Sequence, residues 1–332
     1  MSTILVTGGT GLTGSNICQM LIARGDKVRA LVRPTADMAA LDAMGVDLVT
    51  GDITVADDVL RAADGCEAAI HSAALLGASQ QDPVEFEAVN TSGTTHVLDA
   101  AVAVGMRRVV ALSTSTFFDA SSDLPLEDAP VKAAQSGDPY NTTKLAAFEE
   151  AHARAAAGQD IVTCHPGAIF GPAPVVSRAL APTSFNRVLR GSLRGKLTRY
   201  LHFPVSWVLA TDVAWGSVSA LDNGVSGERY LLDGRPEDVI SIAQACNMLC
   251  ELAGVEYRVE DVAPSDDPEL AAMFGPTLMA IASAPKAPGA MSSQRAKRGP
   301  SRTNTRLGYD PTPLDEGLAQ LLAWLRAEGQ VS

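Results

Sequence analysis

A glycine-rich segment near the start of the chain narrows the possible folds more than any other feature. The β-forming run Ile4-Leu5-Val6-Thr7 passes directly into Gly8-Gly9-Thr10-Gly11-Leu12-Thr13-Gly14, and a helical pattern begins there. In the spacing Gly8-x-x-Gly11-x-x-Gly14, the first glycine permits a tight turn. The second lets a pyrophosphate approach the backbone, and the third lets the helix pack closely on the strand. Unpaired N–H groups and the positive end of the helix dipole then face the phosphates. Glycine spacing alone is weak evidence. The strand before it and the helix after it supply the context that dinucleotide binding requires.

The rest of the first half repeats this alternation. Ile4–Thr7, Lys27–Val32, Asp47–Thr50, Ala68–His71, Arg108–Leu112 and Ile161–Cys164 read as strands. Leu12–Arg24, Asp37–Met44, Ala56–Ala62, Pro83–Val104 and Pro139–Ala157 read as helices. The strands are almost wholly apolar, as expected when helices cover both sheet faces. The expected fold class is α/β, a Rossmann-type doubly wound parallel sheet with a smaller C-terminal substrate-binding lobe. Residues 1–170 form the dinucleotide-binding domain with the catalytic residues. Residues 171–332 form mainly the substrate lobe, and segments around 205–235 return to the first domain. A strand near Glu228–Leu232 and helices at Ser241–Ala253 and Pro313–Glu328 belong to this half. Residues 264–305 are rich in Ala, Pro, Gly and Ser and read as a solvated loop, or as a lid over substrate.

Composition excludes several classes. With 332 residues, 46% hydrophobic and 19% charged, the chain is globular rather than disordered. A formal net charge of −12 disfavours nucleic acid as a partner. No apolar run is long enough to span a bilayer, and Met1-Ser2-Thr3 leads into a strand rather than a signal peptide. Five scattered cysteines suggest a reducing, cytoplasmic setting, and Cys246 and Cys250 are expected to pack in a core. No metal site is expected, since His71, His96, His152, His165 and His202 lack ligand spacing.

Tyr140-Asn141-Thr142-Thr143-Lys144 puts a phenol and an ammonium on one helix face. Delivery of a proton to a carbonyl as hydride arrives needs such a pair. A free Tyr, with a pKa of about 10, is a poor base at neutral pH. The neighbouring Lys and a cationic nicotinamide are expected to favour its phenolate. Ser113-Thr114-Ser115 ends the fifth strand, at the edge where ligands of parallel sheets bind. Downstream of the second strand, Val32 fills the place where an acid would hold an NAD ribose, and Arg33 follows. An Arg there suits a 2′-phosphate, so NADP(H) is preferred and NAD(H) is possible.

Together these pieces make the chain resemble an extended short-chain dehydrogenase/reductase of the NAD-dependent epimerase/dehydratase superfamily. Further shared segments are Gly51-Asp52-Ile53, His71-Ser72-Ala73-Ala74, Val89-Asn90-Thr91-Ser92-Gly93-Thr94, His165-Pro166-Gly167-Ala168-Ile169-Phe170-Gly171-Pro172 and Leu307-Gly308-Tyr309-Asp310-Pro311. The resemblance implies Tyr140 as general acid/base, Lys144 on the nicotinamide ribose, and Ser115 as the catalytic hydroxyl, with Ser113 as fallback. It implies a cofactor lying along Thr7, Gly8, Gly11, Leu12, Gly14, Arg33, Asp52, Ile53, Ser72, Ala73, Ala74, Asn90, Tyr140, Lys144, Pro166 and Gly167.

Dehydratases of this superfamily follow the catalytic hydroxyl with Asp-Glu. Thr116-Phe117 stands there, so dehydration is not expected. The pattern is closest to dihydroflavonol-reductase-like and hydroxysteroid-dehydrogenase-like ketoreductases. The expected activity interconverts a ketone or aldehyde and an alcohol, with Phe117, Phe170 and Phe203 as candidate substrate contacts. A sugar-nucleotide epimerase is the alternative, with the basic stretch from Arg178 to Arg199 as a possible diphosphate site. A non-catalytic NADP-binding sensor is a third reading. Many relatives dimerise through the two long helices, so a homodimer is expected.

Overall fold

The computed structural model describes residues 2–76, 82–119, 122, 124–134, 137–273 and 301–332. The first part contains β1 (Thr3–Thr7), α1 (Leu12–Arg24), β2 (Lys27–Val32), α2 (Ala39–Ala43), β3 (Asp47–Thr50), α3 (Ala56–Ala63) and β4 (Ala68–His71). It continues with α4 (Pro83–Phe86), a π-helical turn (Glu87–Ser92), α5 (Gly93–Val104), β5 (Arg108–Leu112), α6 (Pro139–Ala156) and β6 (Ile161–Pro166). The second part contains β7 (Ala168–Phe170), α7 (Val176–Ala179), α8 (Phe185–Leu193), β8 (Arg199–Leu201), β9 (Pro204–Leu209), α9 (Ala210–Asn223) and β10 (Arg229–Leu232). It ends with β11 (Val239–Ser241), α10 (Ile242–Ala253), β12 (Glu260–Val262), α11 (Pro268–Ala272), α12 (Arg302–Leu307) and α13 (Leu314–Ala327).

Seven strands form one parallel sheet in the order β3-β2-β1-β4-β5-β6-β10. Strand order reverses between β1 and β4, and that switch point opens a crevice at the carboxyl edge. The period-2 rule of strands is visible in the cores on the two faces. Ile4 and Val6 of β1 and Val110 and Leu112 of β5 pack on one side with Ile17 and Leu21 of α1 and Val213, Val218 and Leu221 of α9. Leu5 and Val109 point the other way, onto α3 and α5. Each such fully buried aliphatic side chain contributes about 1.5–3 kcal/mol. A helix beyond residue 200 thus covers the first sheet, and β10 completes its edge.

The smaller lobe is built on a three-stranded sheet, β11-β9-β7. Trp207 of β9 meets Phe170 edge-on at 5.7 Å, and α13 lays Leu314, Leu318, Leu321, Leu322 and Leu325 on the same core. This is the i, i+4, i+7 stripe of an amphipathic helix. Ser241 and Gln244 close a capping box at the start of α10, satisfying two backbone N–H groups there. Cys246 and Cys250 are buried in this lobe's core.

Two helices differ from the sequence expectation. The segment expected as one helix over Pro83–Val104 is α4, a π-turn and α5, and the wide turn carries the buried Asn90. Helix Asp37–Met44 shrinks to Ala39–Ala43, because Arg33–Ala36 forms a turn and the Asp37 carboxylate accepts from Ser177 Oγ at 2.7 Å. Within 264–305, residues 268–272 and 302–307 are helical, so it is not all loop. Residues 274–300, most of the suggested lid over 264–305, lie outside the described residues.

Candidate active site

The glycine turn stands at the carboxyl end of β1. Gly8 adopts φ +72°, a region that favours glycine, and a Cβ on it would lie 2.7 Å from the Ala73 nitrogen. A Cβ on Gly14 would lie 2.1 Å from the Gly8 carbonyl oxygen. A Cβ on Gly11 would meet only that oxygen, at 3.2 Å, and otherwise open space. Gly8 and Gly14 therefore serve the protein's own packing, and Gly11 leaves room beside the start of α1. No acidic residue stands in the first turn of α1, so its N–H groups and dipole are free to receive an anion. This cradle fits a dinucleotide pyrophosphate.

Around the turn runs a hydrogen-bond chain that sequence reading did not find. Thr7 Oγ1 lies 2.7 Å from His71 Nδ1, and His71 Nε2 lies 2.9 Å from Thr94 Oγ1. Thr94 donates its hydroxyl proton to the Asn90 carbonyl at 2.6 Å, so it must accept from His71 Nε2–H. The tautomer follows: Nδ1 accepts from Thr7, whose oxygen in turn accepts from the Ala73 N–H at 3.4 Å. Burial, and then the Lys144 charge, push the His71 pKa down to about 3, so the ring is neutral. The ends of β1 and β4 are thereby locked together beside Gly8. Ser72 N–H adds a bond to the Thr7 carbonyl at 3.1 Å.

Asn90 extends the lock. Its amide grips Leu75 at both backbone groups (2.7 and 3.2 Å) and reaches Thr143 Oγ1 at 3.1 Å. Thr143 immediately precedes Lys144, so the π-turn, the loop after β4 and α6 share one polar joint. Thr143 is missed by motif matching, because its role comes from fold contacts rather than spacing.

Helix α6 begins at Asp138, whose carboxylate accepts from Asn141 N–H at 3.0 Å, followed by Pro139 at the first helical position. This cap fixes where Tyr140 leaves the helix. Lys144 is buried, and its Nζ donates to the Leu112 carbonyl at the end of β5 at 2.7 Å. Burial pulls its pKa down to about 8. The Tyr140 side chain leaves α6 towards Thr114, whose side chain lowers the phenol pKa. Burial pushes the phenol up to about 12, against the lowering by Thr114. In the protein alone, desolvation outweighs any lowering of the phenol by its neighbours.

The strand-end triplet separates into three environments. The buried Ser113 Oγ has no hydrogen-bond partner among the described residues. Thr114 is buried, and its carbonyl accepts from His165 Nδ1 at 3.0 Å. Ser115 is half-buried, with its N–H on the Pro166 carbonyl at 3.3 Å. His165, fully buried and held neutral by a pKa pushed down to about 3, sits among Phe117, Phe118 and Phe148 with centroids 4.8–5.8 Å away. Since Nδ1 faces a carbonyl it carries the proton, and Nε2 accepts from Thr163 Oγ1 at 3.0 Å.

The other expected residues occupy the same edge. Leu12 opens α1, and Ala74 follows Ala73 after β4. Arg33 is exposed just after β2, with no side-chain partner among the described residues. The Asp52 carboxylate accepts from Thr54 N–H at 2.9 Å and hydroxyl at 2.8 Å, and Ile53 is buried beneath Gly93 of α5. Pro166 and Gly167 lie at the end of β6. Phe117, Phe170 and Phe203 are 3%, 1% and 6% exposed. Their rings fill cores instead of lining a pocket. In the basic stretch, Arg190 and Arg194 hold Gln330 and Arg199 pairs with Asp267 at 2.8 Å, which leaves fewer cations for a diphosphate.

Comparison with known proteins agrees with this geometry. The model of the NAD dependent epimerase/dehydratase family matches residues 4–232. The chain is 30% identical to "Sterol demethylase protein B" of Methylococcus capsulatus, over 99% of this chain and 100% of that protein. It is 29% identical to the 4-hydroxy-2-methyl-3-oxo-4-farnesyl-3,4-dihydroquinoline-1-oxide ketoreductase of Stigmatella aurantiaca, over 82% of this chain and 79% of that protein. UDP-glucuronic acid 4-epimerase of Bacillus cereus, solved with UDP-glucuronic acid and NAD, shares the fold. Its TM-score is 0.75 at 21% identity, over 98% of this chain and 99% of that one.

Proposed function

The chain belongs to the NAD dependent epimerase/dehydratase family, and from that premise we propose an NADP(H)-dependent oxidoreductase that interconverts a ketone or aldehyde and an alcohol. The observation that carries the reading is the convergence of Tyr140, Thr114 and Lys144 at the carboxyl end of β5, beside the Gly11 cradle. When bound, the nicotinamide would supply or take the hydride. Tyr140 gives the proton to the carbonyl oxygen in reduction and takes it back in oxidation. Lys144, fixed on Leu112, orients the nicotinamide ribose and adds positive charge behind the phenol. The Thr7–His71–Thr94 chain keeps the β1 and β4 ends rigid where the dinucleotide crosses them.

Arg33 supports NADP(H) over NAD(H), because its exposed guanidinium beside β2, without a partner among the described residues, matches a 2′-phosphate. The substrate is a large apolar ketone or alcohol. Both relatives above carry names of sterol or farnesylated compounds, and the partly engaged basic stretch favours this class over a nucleotide sugar. Replacing Tyr140 with Phe removes the proton donor and leaves the cradle intact. The expected result is loss of turnover on apolar ketones with unchanged NADPH affinity by fluorescence titration. Wild-type turnover in Tyr140→Phe would refute the assignment.

A further inference from the structure

A short arm of the smaller lobe reaches the loop that carries Arg33. It leaves β7 at Gly171, whose N–H donates to Asn186 Oδ1 and whose carbonyl accepts from Asn186 Nδ2, both at 2.8 Å. Asn186 is fully buried, so this end of the arm is fixed. The next carbonyl, on Pro172, accepts from Asn16 Nδ2 of α1 at 3.0 Å. Val175 and Ala179 are buried on either side of Ser177 and hold its backbone in place. Ser177 itself is exposed, and its hydroxyl donates to Asp37 Oδ2 at 2.7 Å. A serine of the smaller lobe thus engages a carboxylate of the dinucleotide half. Asp37 follows the turn Arg33–Ala36, which is closed by the Ala36 N–H on the Arg33 carbonyl at 3.0 Å. The ends of such a turn lie within about 7 Å of each other, so Asp37 is within reach of the long Arg33 side chain, and opposite charges attract at this range. In the structure they do not pair. Arg33 has no side-chain partner among the described residues, and Asp37 is turned to Ser177.

We propose that Ser177 is a positioning residue for coenzyme selection: by holding the Asp37 carboxylate, it keeps the Arg33 guanidinium free for the 2′-phosphate of NADP(H). This rests on the reading of Arg33 as the 2′-phosphate contact. A 2′-phosphate and the Asp37 carboxylate are both anions suited to a guanidinium, so they compete for one cation. Without the Ser177 hydroxyl, the carboxylate loses its donor and takes Arg33. The phosphate must then break an ion pair before it binds. NAD(H) brings no phosphate to this place and is indifferent to the exchange. The smaller lobe, far along the chain, therefore contributes to a choice made beside β2.

The test titrates NADPH and NADH by fluorescence into the full chain carrying Ser177→Ala, Ser177→Thr, Asp37→Asn, Ser177→Ala together with Asp37→Asn, and Arg33→Ala. Ser177 and Asp37 are exposed, so their variants are expected to fold, and thermal melting checks each. Ser177→Ala should weaken NADPH binding about twofold to fivefold, the worth of an exposed ion pair, and leave NADH binding unchanged. Ser177→Thr keeps the hydroxyl and should restore NADPH binding. Asp37→Asn should bind NADPH at least as tightly as the wild type. Adding it to Ser177→Ala should remove the loss, because an amide carries no charge to neutralise Arg33. Wild-type NADPH affinity in Ser177→Ala would overturn the inference. So would a loss that persists in the double variant, or one that NADH shares. Arg33→Ala reports on the underlying reading. If it weakens both coenzymes equally, or neither, Arg33 does not contact the 2′-phosphate and that reading fails. If it weakens NADPH alone while Ser177→Ala does not, the reading stands and the role of Ser177 falls.

Discussion

Gly14→Ala tests whether the turn's glycines have the separate roles the packing assigns. The added Cβ would lie 2.1 Å from the Gly8 carbonyl oxygen, 2.7 Å from its carbonyl carbon and 3.0 Å from Gly9 Cα, where real Cβ contacts under 3.0 Å essentially do not occur. Every neighbour is backbone, so no side chain can rotate away. Gly8 has little room to retreat, because a Cβ on it would already lie 2.7–2.8 Å from the Ser72 and Ala73 backbone. The start of α1 must move instead. Overpacking of this kind costs about 1–3 kcal/mol, and the rigid surroundings place this case at the upper end. Displacing the first N–H groups of α1 also costs one charge-assisted hydrogen bond to phosphate, about 1.5–3 kcal/mol. That corresponds to roughly tenfold to hundredfold weaker NADPH binding. Gly11→Ala is the control with the opposite signature. Its Cβ meets only the Gly8 oxygen at 3.2 Å, a contact relieved by a few tenths of an ångström. It should leave the melting temperature nearly unchanged and still weaken NADPH binding, because the methyl fills the space a pyrophosphate needs. Melting curves with and without NADPH, with titration of each variant, separate the two effects. A Gly14→Ala protein with wild-type melting and affinity, or a Gly11→Ala protein with wild-type affinity, would refute the division of roles.

Two further outcomes follow from charge. Arg33→Ala should raise the KM for NADPH about tenfold to hundredfold, the value of a lost charged hydrogen bond, and leave that for NADH little altered. Equal effects on both coenzymes would contradict a 2′-phosphate contact. His71 and His165 are neutral in the fold, with pKa values near 3 against an ordinary 6.5. The unfolded chain therefore binds more protons below pH 6.5, and stability should fall as pH drops from there towards 3. The slope is at most roughly 1.4 kcal/mol per pH unit for each histidine. Urea midpoints at pH 7 and pH 5 measure it, and equal midpoints would show that these rings are not buried and neutral.

The sequence by itself determined the parallel sheet, the glycine turn and the helix carrying Tyr140 and Lys144. Each is local: apolar runs make covered strands, Gly8 needs a positive φ, and a four-residue spacing puts two side chains on one helix face. The segments Arg108–Leu112 and Ile161–Cys164 form strands because they are almost wholly apolar, as a doubly covered sheet requires. What only the tertiary structure decided is how side chains distant in sequence meet. Thr143 and Thr94 find Asn90 and His71 through a π-turn that no propensity marks. Aromatic residues look alike in sequence whether they line a pocket or fill a core, and only packing assigns Phe117, Phe170 and Phe203 to cores. Only the fold sorts the strand-end triplet: His165 holds the buried Thr114 by its carbonyl, and Ser115 is half-buried with its N–H on Pro166. The direction of a hydroxyl depends on which backbone groups its neighbours occupy, and only the folded chain fixes that.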